Sequence, residues 1–418
     1  MITPGGSSPA SGRARSSRTR EGRGRDARSL EAHFAAASPP NALHPRPATS
    51  TLATLASVLL GTVAGFTIVA AVSEEAWRAL TQEDGVVEWG TVVAYLLSAW
   101  LLLGRLRVAW RSSRLLWVGL LSLGAFCLFV ADEEISWGQR LFAFRPPDVF
   151  LERNFQQEFN VHNLLLDERI LGFRLPSRHL VAVVALLYGV VGPWLTRLRA
   201  LSPAASVFPP LALGPVFVIV GILGVWYPVR LAGEGAELLL GMGFLAGQLV
   251  LMSWRRALGW LVMPLALGAV LGPVFARVAY GDDASGTATA REELALLAQD
   301  IQREGAGELA RIDGVHKRLF TAVNGGYLDL DGGAFLEGMA SPASELSILE
   351  TRRDRRGYFL DPWNNPYWVQ SIREGQRVNI LLYSFGPNRL RDVDTMEDDG
   401  DAGDDVRLRL PLQRAVAP

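Results

Sequence analysis

Apolar residues gather in long runs from residue 51 onward, roughly at 51–73, 86–104, 115–131, 178–198, 211–230, 235–253 and 257–279. As a helix, each run is long enough to cross about 30 Å of hydrocarbon. A soluble chain seldom carries several such runs, so the pattern predicts a mostly α polytopic membrane helix bundle of about seven spans over 49–284. Residues 1–48 read differently. They are rich in Ser, Arg, Gly and Pro with few large apolar side chains, which predicts a disordered cytoplasmic tail. Their basic tract lies well upstream of the first apolar run, unlike the charged region of a signal peptide.

After residue 284 the apolar runs stop, and 285–418 reads as a small α+β domain. Leu294, Leu297, Ala298 and Ile301 recur at i, i+3, i+4 and i+7, which predicts an amphipathic helix. Thr289 and Glu292 have the spacing of a capping box at its start. A second helical stretch ends near "NGGY", and "VNILLYSFG" reads as a strand stopped by glycine.

Charge adds orientation. The loops "GRLRVAWRSSR", "TRLRA" and "SWRRA" are basic, and they alternate with the acidic "SEEAWRALTQEDG", "GEGAE" and "YGDDASG". Seven spans with the N-terminus inside and the C-terminus outside satisfy every loop, which predicts a bacterial inner-membrane protein with a periplasmic C-terminal domain. Over the whole chain, 41 Lys and Arg nearly balance 42 Asp and Glu, so bulk charge makes no case for nucleic acid. The lipid bilayer is the partner the pattern does imply. With Cys127 as its one cysteine, the chain has no intrachain disulfide and no Cys-rich metal site.

The candidate chemistry lies at the outer ends of the spans. "ADEEISWGQR" closes the third apolar run with Asp132, Glu133 and Glu134, Glu88 opens the second, and Glu234 and Glu237 open the sixth. In "ERNFQQEFNVHNL", Asn154, Glu158 and His162 recur at i, i+4 and i+8, and as a helix they would share a face beside Phe155 and Phe159. Carboxylates with an imidazole suit Zn, Mn or Fe, and a metal-bound water near them is a nucleophile for hydrolysis. On the alternative, enzymatic reading of the chain, Glu133, Glu134, Glu158, His162 and Glu234 are the catalytic set, with Glu88 and Glu237 behind them. The reaction they would serve is hydrolysis of a lipid or lipid-linked substrate. Span-end acids also commonly mark the interface and pair with arginines, here Arg140, Arg145 or Arg153. Residues 85–250, with "DEEISWGQR" and "NFQQEFNVHNL", resemble a family of uncharacterised bacterial multi-span membrane proteins, which implies no activity.

The outer domain carries "YFLDPWNNPYWVQ", then "VNILLYSFGPNRLRDVDTMEDDGDAGDDV". The two Xaa-Pro steps, Asp361-Pro362 and Asn365-Pro366, favour turns, and the acidic loop offers hard oxygen ligands that suit calcium. The acid spacing around Asp392 to Gly400 is not that of an EF-hand. About fifty residues of this region resemble the C-terminal domain of the major pseudopilin of type II secretion systems. Asp361, Pro362, Trp363, Asn365, Pro366 and Tyr367 match its turn, while Tyr383, Ser384 and Gly386 match its strand end. Asp404, Asp405 and Val406 resemble its closing element. Asn364 stands where that family usually has Gly, and Asn388 where it has Asp. The resemblance implies a pseudopilin-like fold, calcium held by Asp394, Asp398, Asp399, Asp401, Asp404 and Asp405, and partners among secretion or envelope proteins. A pseudopilin has a single N-terminal helix behind a peptidase site, whereas this chain has about seven apolar runs. The resemblance therefore implies a shared fold rather than a shared job. The first functional expectation is an inner-membrane protein that presents this calcium-stabilised domain to the periplasm as a recognition module for secretion or envelope proteins, with the lipid hydrolase as the alternative.

Overall fold

The computed structural model describes residues 47–82, 84–142, 144–154, 157–166, 177–226, 232–280, 283–304, 317–326, 352–374, 377–387 and 405–412. The predicted tail, apart from Pro47 and Ala48, lies outside these residues, as does the acidic loop before Asp405.

In chain order the helices that build the bundle are α1 (Thr49–Val72), α2 (Val86–Gly104) and α3 (Arg114–Glu134). After the short α4 (Val161–Leu166) come α5 (Ser177–Leu186), α6 (Gly214–Val225), α7 (Ala232–Leu249) and α8 (Trp254–Tyr280). Among the described residues, four helices are long and apolar enough to cross a membrane: Thr49–Val72, Val86–Gly104, Arg114–Glu134 and Trp254–Phe275. His179–Leu195 and Leu211–Val225 are apolar but shorter. A wider π turn, Leu187–Val191, follows α5 just before Pro193. Proline removes a backbone donor and crowds the preceding turn, which accounts for the irregular ladder there.

Close packing depends on small residues. A Cβ on Gly268 would lie 2.3 Å from the carbonyl oxygen of Val86, and one on Gly272 would lie 2.7 Å from the carbonyl carbon of Gly85. These two glycines, four apart on one face of α8, let its backbone rest on the start of α2. Helix α7 is buried along most of its length against Tyr95, Tyr188 and Phe217, which approach at Gly241, Gly247 and Gly243. Ser113 caps α3 by accepting from the backbone N–H of Leu116.

Beyond the bundle, α9 (Asp283–Glu304) buries Leu294, Leu297, Ala298 and Ile301 on a four-stranded antiparallel sheet. Its strands run in spatial order: β1 (Lys317–Arg318), β2 (Trp368–Glu374), β3 (Arg377–Ser384) and β4 (Val406–Leu412). Val369 pairs with Leu382, and Ile380 with Leu410, to give the apolar face that receives α9. The helix begins six residues before Thr289, so the Thr289/Glu292 capping box is a correction: Thr289 lies inside the helix rather than at its cap. α10 (Leu319–Asn324) ends at Gly325 and Gly326, and Gly326 takes a left-handed φ of 73°.

The turn at Asp361 is tied to the end of β3. The Asp361 carboxylate accepts from the backbone N–H groups of Trp363 (3.0 Å) and Asn365 (2.8 Å) and from the Ser384 hydroxyl. Asn365 Nδ2 donates to the Gly386 carbonyl at 3.0 Å. Asn364 has φ 64°, a left-handed conformation that glycine adopts freely and asparagine tolerates. Beneath it, fully buried Arg355 forks onto Glu293 at 2.9 Å, and the Tyr367 hydroxyl donates to the same carboxylate at 2.6 Å. Burial, reinforced by the Glu293 charge, pushes the Tyr367 phenol well above its ordinary value.

Candidate functional site

The first acids of interest are neighbours in sequence with different surroundings. Successive helix positions point about 100° apart at 3.6 residues per turn, so Glu133 and Glu134 leave α3 in different directions. Glu134 meets α7. One carboxylate oxygen from each of Glu134, Glu234 and Glu237 falls within 4.8 Å of the others. Two helices separated by about 100 residues of chain thus bring three half-buried acids to one point. Glu88 is close enough to interact with Glu134 electrostatically, and its own carboxylate also accepts the backbone N–H of Asp84 at the start of α2. Below the acids, buried Tyr95 of α2 interacts electrostatically with Glu134 and Glu237.

Glu133 instead serves the segment that follows. Its Oε2 accepts from the backbone N–H groups of Val161 and His162, both at 2.8 Å, and its Oε1 accepts from Trp137 Nε1. His162 Nδ1 lies 3.3 Å from the same Oε2. Partial burial opposes the imidazolium, but the Glu133 bond and the charges of Glu237 and Glu158 outweigh it and raise the His162 pKa. The ring is 45% exposed, so solvent tempers these interactions. His162 contributes no atom to the three-acid group at 4.8 Å.

Between these residues the backbone makes an unusual turn. Ser136, Trp137 and Gly138 have φ of 46°, 54° and 73°, three left-handed residues in succession. A non-glycine residue in that region costs of order 1–3 kcal/mol and persists only where its surroundings enforce it. Here the Ser136 hydroxyl donates to Glu158 Oε2 at 2.7 Å, and the Trp137 ring packs on Phe129 and Phe159.

The single helix expected through Asn154, Glu158 and His162 is a correction. The chain forms a short helical turn at Asp148–Arg153, bends, and begins α4 at Val161, while Phe155 lies outside the described residues. Asn154 Nδ2 donates to the Glu158 carbonyl (2.6 Å) and to Asn160 Oδ1 (2.8 Å), and Gln157 takes φ 58°. A short amide side chain that captures nearby carbonyls competes with the helical ladder. Asn154 and Glu158 are nonetheless both buried in this knot, while His162 emerges beside it. Arg145 pairs with Asp148 at 2.6 Å.

Comparisons with protein-family models, with curated proteins and with solved structures find no match to this chain. Its function is therefore argued from the site alone.

Sequence reasoning missed Gln139, which is fully buried and whose Oε1 accepts from the Phe159 N–H at 2.6 Å, and Tyr95 beneath the acids. A glutamine at a helix end and a tyrosine in an apolar run carry no periodic signal that marks them. Of the acidic loop, Asp394, Asp398, Asp399, Asp401 and Asp404 lie outside the described residues, while Asp405 is buried at the start of β4.

The donor set suits a hard divalent ion. Three carboxylates supply oxygen only, which favours Mn²⁺ or Mg²⁺ over the nitrogen-rich shell typical of Zn²⁺.

Proposed function

We propose that this chain is a metal-dependent membrane hydrolase acting on a lipid or lipid-linked substrate. The observation that carries the reading is the convergence of Glu134, Glu234 and Glu237 within 4.8 Å at one end of the apolar helices. Three carboxylates brought so close repel one another unless a cation or shared protons neutralise them. Of Zn, Mn and Fe, Mn²⁺ fits the all-oxygen set best. A divalent ion held there would polarise a phosphoryl or carbonyl oxygen and lower the pKa of water. Glu134, Glu234 and Glu237 bind, Glu133 holds His162 at the rim, and His162 is placed to exchange a proton with the solvent side. The Ser136–Glu158 hydrogen bond fixes the strained turn between them.

In this reading seven apolar segments cross a bacterial inner membrane with the N-terminus inside, and the acids and the outer domain face the periplasm. Alternation of basic and acidic loops supports that orientation.

The test is metal content of the purified full chain by elemental mass spectrometry, paired with headgroup release from polar-lipid vesicles. We expect near-stoichiometric Mn²⁺ that is lost in Glu134→Gln/Glu237→Gln together with the release. A folded, monodisperse wild type that takes up no divalent ion would remove the proposal.

A second reading concerns the outer domain, as a calcium-stabilised, pseudopilin-like recognition module. The hydrogen bonds that tie Asp361 and Asn365 to Ser384 and Gly386 favour it, because they join the two stretches that carry the resemblance.

A further inference from the structure

The opposite end of the bundle carries a group that the acid cluster does not explain. Arg105 follows the last residue of α2, about 25 Å from Glu88 at 1.5 Å per residue. Its side chain is half-buried where α2, α7 and the 202–207 turn meet. Nη1 donates to Gln248 Oε1 at 2.8 Å and to the Ser206 carbonyl at 3.3 Å. No carboxylate faces it among the described residues, and Nε and Nη2 make no bond there. Gln248 Nε2 in turn donates to the hydroxyl of Tyr188, a residue 3% exposed, at 3.3 Å, and that hydroxyl has no acceptor of its own among the described residues.

The inventory is one-sided. A guanidinium, the second N–H of an amide and a phenolic O–H converge with donors to spare and no acid to receive them. Withdrawing a cation from water without a counter-charge is unfavourable, so such an arrangement calls for an anion from outside the chain. Tyr188 sits in the π turn Leu187–Val191, an irregularity frequent at functional sites. Gly247 makes room for it, since a Cβ there would lie 2.5 Å from the hydroxyl oxygen. The three segments around the group, 105–114, 196–213 and 249–256, hold eight arginines and no Asp or Glu. Two of these segments also carry the exposed Trp110 and Trp254, and the Arg114 guanidinium stacks 3.4 Å over the Trp110 ring. Tryptophans at this level mark a membrane interface, and arginines there attract anionic headgroups.

We propose that Arg105, Gln248 and Tyr188 form a binding seat for a phosphate group, contributed by an anionic phospholipid of the adjoining leaflet or by free phosphate. The planar guanidinium suits two phosphate oxygens at once, and the Tyr188 hydroxyl and the Gln248 amide supply further donors. The seat does not depend on metal at the acid cluster, and either proposal can fail alone.

The test is native mass spectrometry of the full chain in detergent, titrated separately with phosphatidylglycerol, phosphatidylcholine and inorganic phosphate. We expect phosphatidylglycerol to bind the wild type more tightly than phosphatidylcholine. Arg105→Gln should weaken it at least tenfold, and Tyr188→Phe or Gly247→Ala about threefold or more. Inorganic phosphate that displaces the lipid assigns the seat to the free anion, and phosphate without effect assigns it to the headgroup. Wild-type affinity in Arg105→Gln, or no binding of either probe by the wild type, overturns the proposal and leaves a hydrated arginine. Should Arg105→Gln fail to fold, unchanged affinity in both other variants overturns it equally.

Discussion

Glu133 and Glu134 differ by one position and by surroundings, and the difference is one of hydrogen-bond inventory. Glu133 receives two backbone N–H groups and an indole N–H, whereas Glu134 faces two other carboxylates. On the proposed reading Glu133, saturated with donors, positions the backbone at 161–162, and Glu134, faced by acids, binds the ion. Glu133→Gln replaces one acceptor oxygen with a donor that cannot meet an N–H. At roughly 1–3 kcal/mol for a buried unsatisfied group, the amides of Val161 and His162 should exchange about tenfold faster or more by hydrogen-exchange mass spectrometry. Metal uptake should survive, because Glu133 contributes no atom to the three-acid group. Loss of metal with unchanged exchange would reverse the two roles. That acids would gather at span ends was legible in the sequence. Which of two adjacent acids turned toward α7 was not, because it depends on the rotation of α3 in the bundle and not on any local pattern.

At the scale of elements, hydropathy located the helices well and their lengths less well. Apolar runs at 51–73, 86–104 and 115–131 coincide closely with α1, α2 and α3. The runs at 178–198 and 211–230 correspond to the shorter apolar helices His179–Leu195 and Leu211–Val225, the first made irregular by the π turn before Pro193, while residues 227–231 lie outside the described residues. In the 151–163 segment, period alone suggested a helix, and the side-chain amides of Asn154 and Gln157 overrode it. Helix contacts leave a clearer mark where glycine is required. Gly268 touches the Val86 carbonyl, so any larger side chain must push α8 off α2. Gly268→Leu is expected to cost at least about 1–3 kcal/mol of overpacking. The thermal unfolding midpoint in detergent should fall by several degrees, and the same change at Gly259, with open space around its Cβ, should leave it nearly unchanged. Equal midpoints for the two variants would mean that the close α2–α8 contact is not a source of stability.

On the scale of the whole molecule, the two kinds of structure meet around one buried arginine. Arg318, on the edge strand β1, is 8% exposed and donates to the backbone carbonyls of Asn154 and Glu152. Leu360 and Tyr358 pack on Leu151, beside the same carbonyls. The bend that presents Glu158 and His162 is thus fastened at one end by Glu133 of the bundle and at the other by the outer domain. Whether the two act together was not legible in the sequence, since an arginine beside a short strand gives no sign of a partner some 160 residues earlier. Charged hydrogen bonds of this kind contribute about 1.5–3 kcal/mol each. Arg318→Ala should therefore leave β2 and β3 protected from hydrogen exchange while amides of 157–162 exchange at least tenfold faster. If the bend braces the proposed metal site, the affinity for Mn²⁺ should fall in the same variant. Faster exchange with unchanged Mn²⁺ affinity would mean that the three acids are held by α3 and α7 alone. Unchanged exchange at 157–162 would show that the outer domain rests against the bend without supporting it.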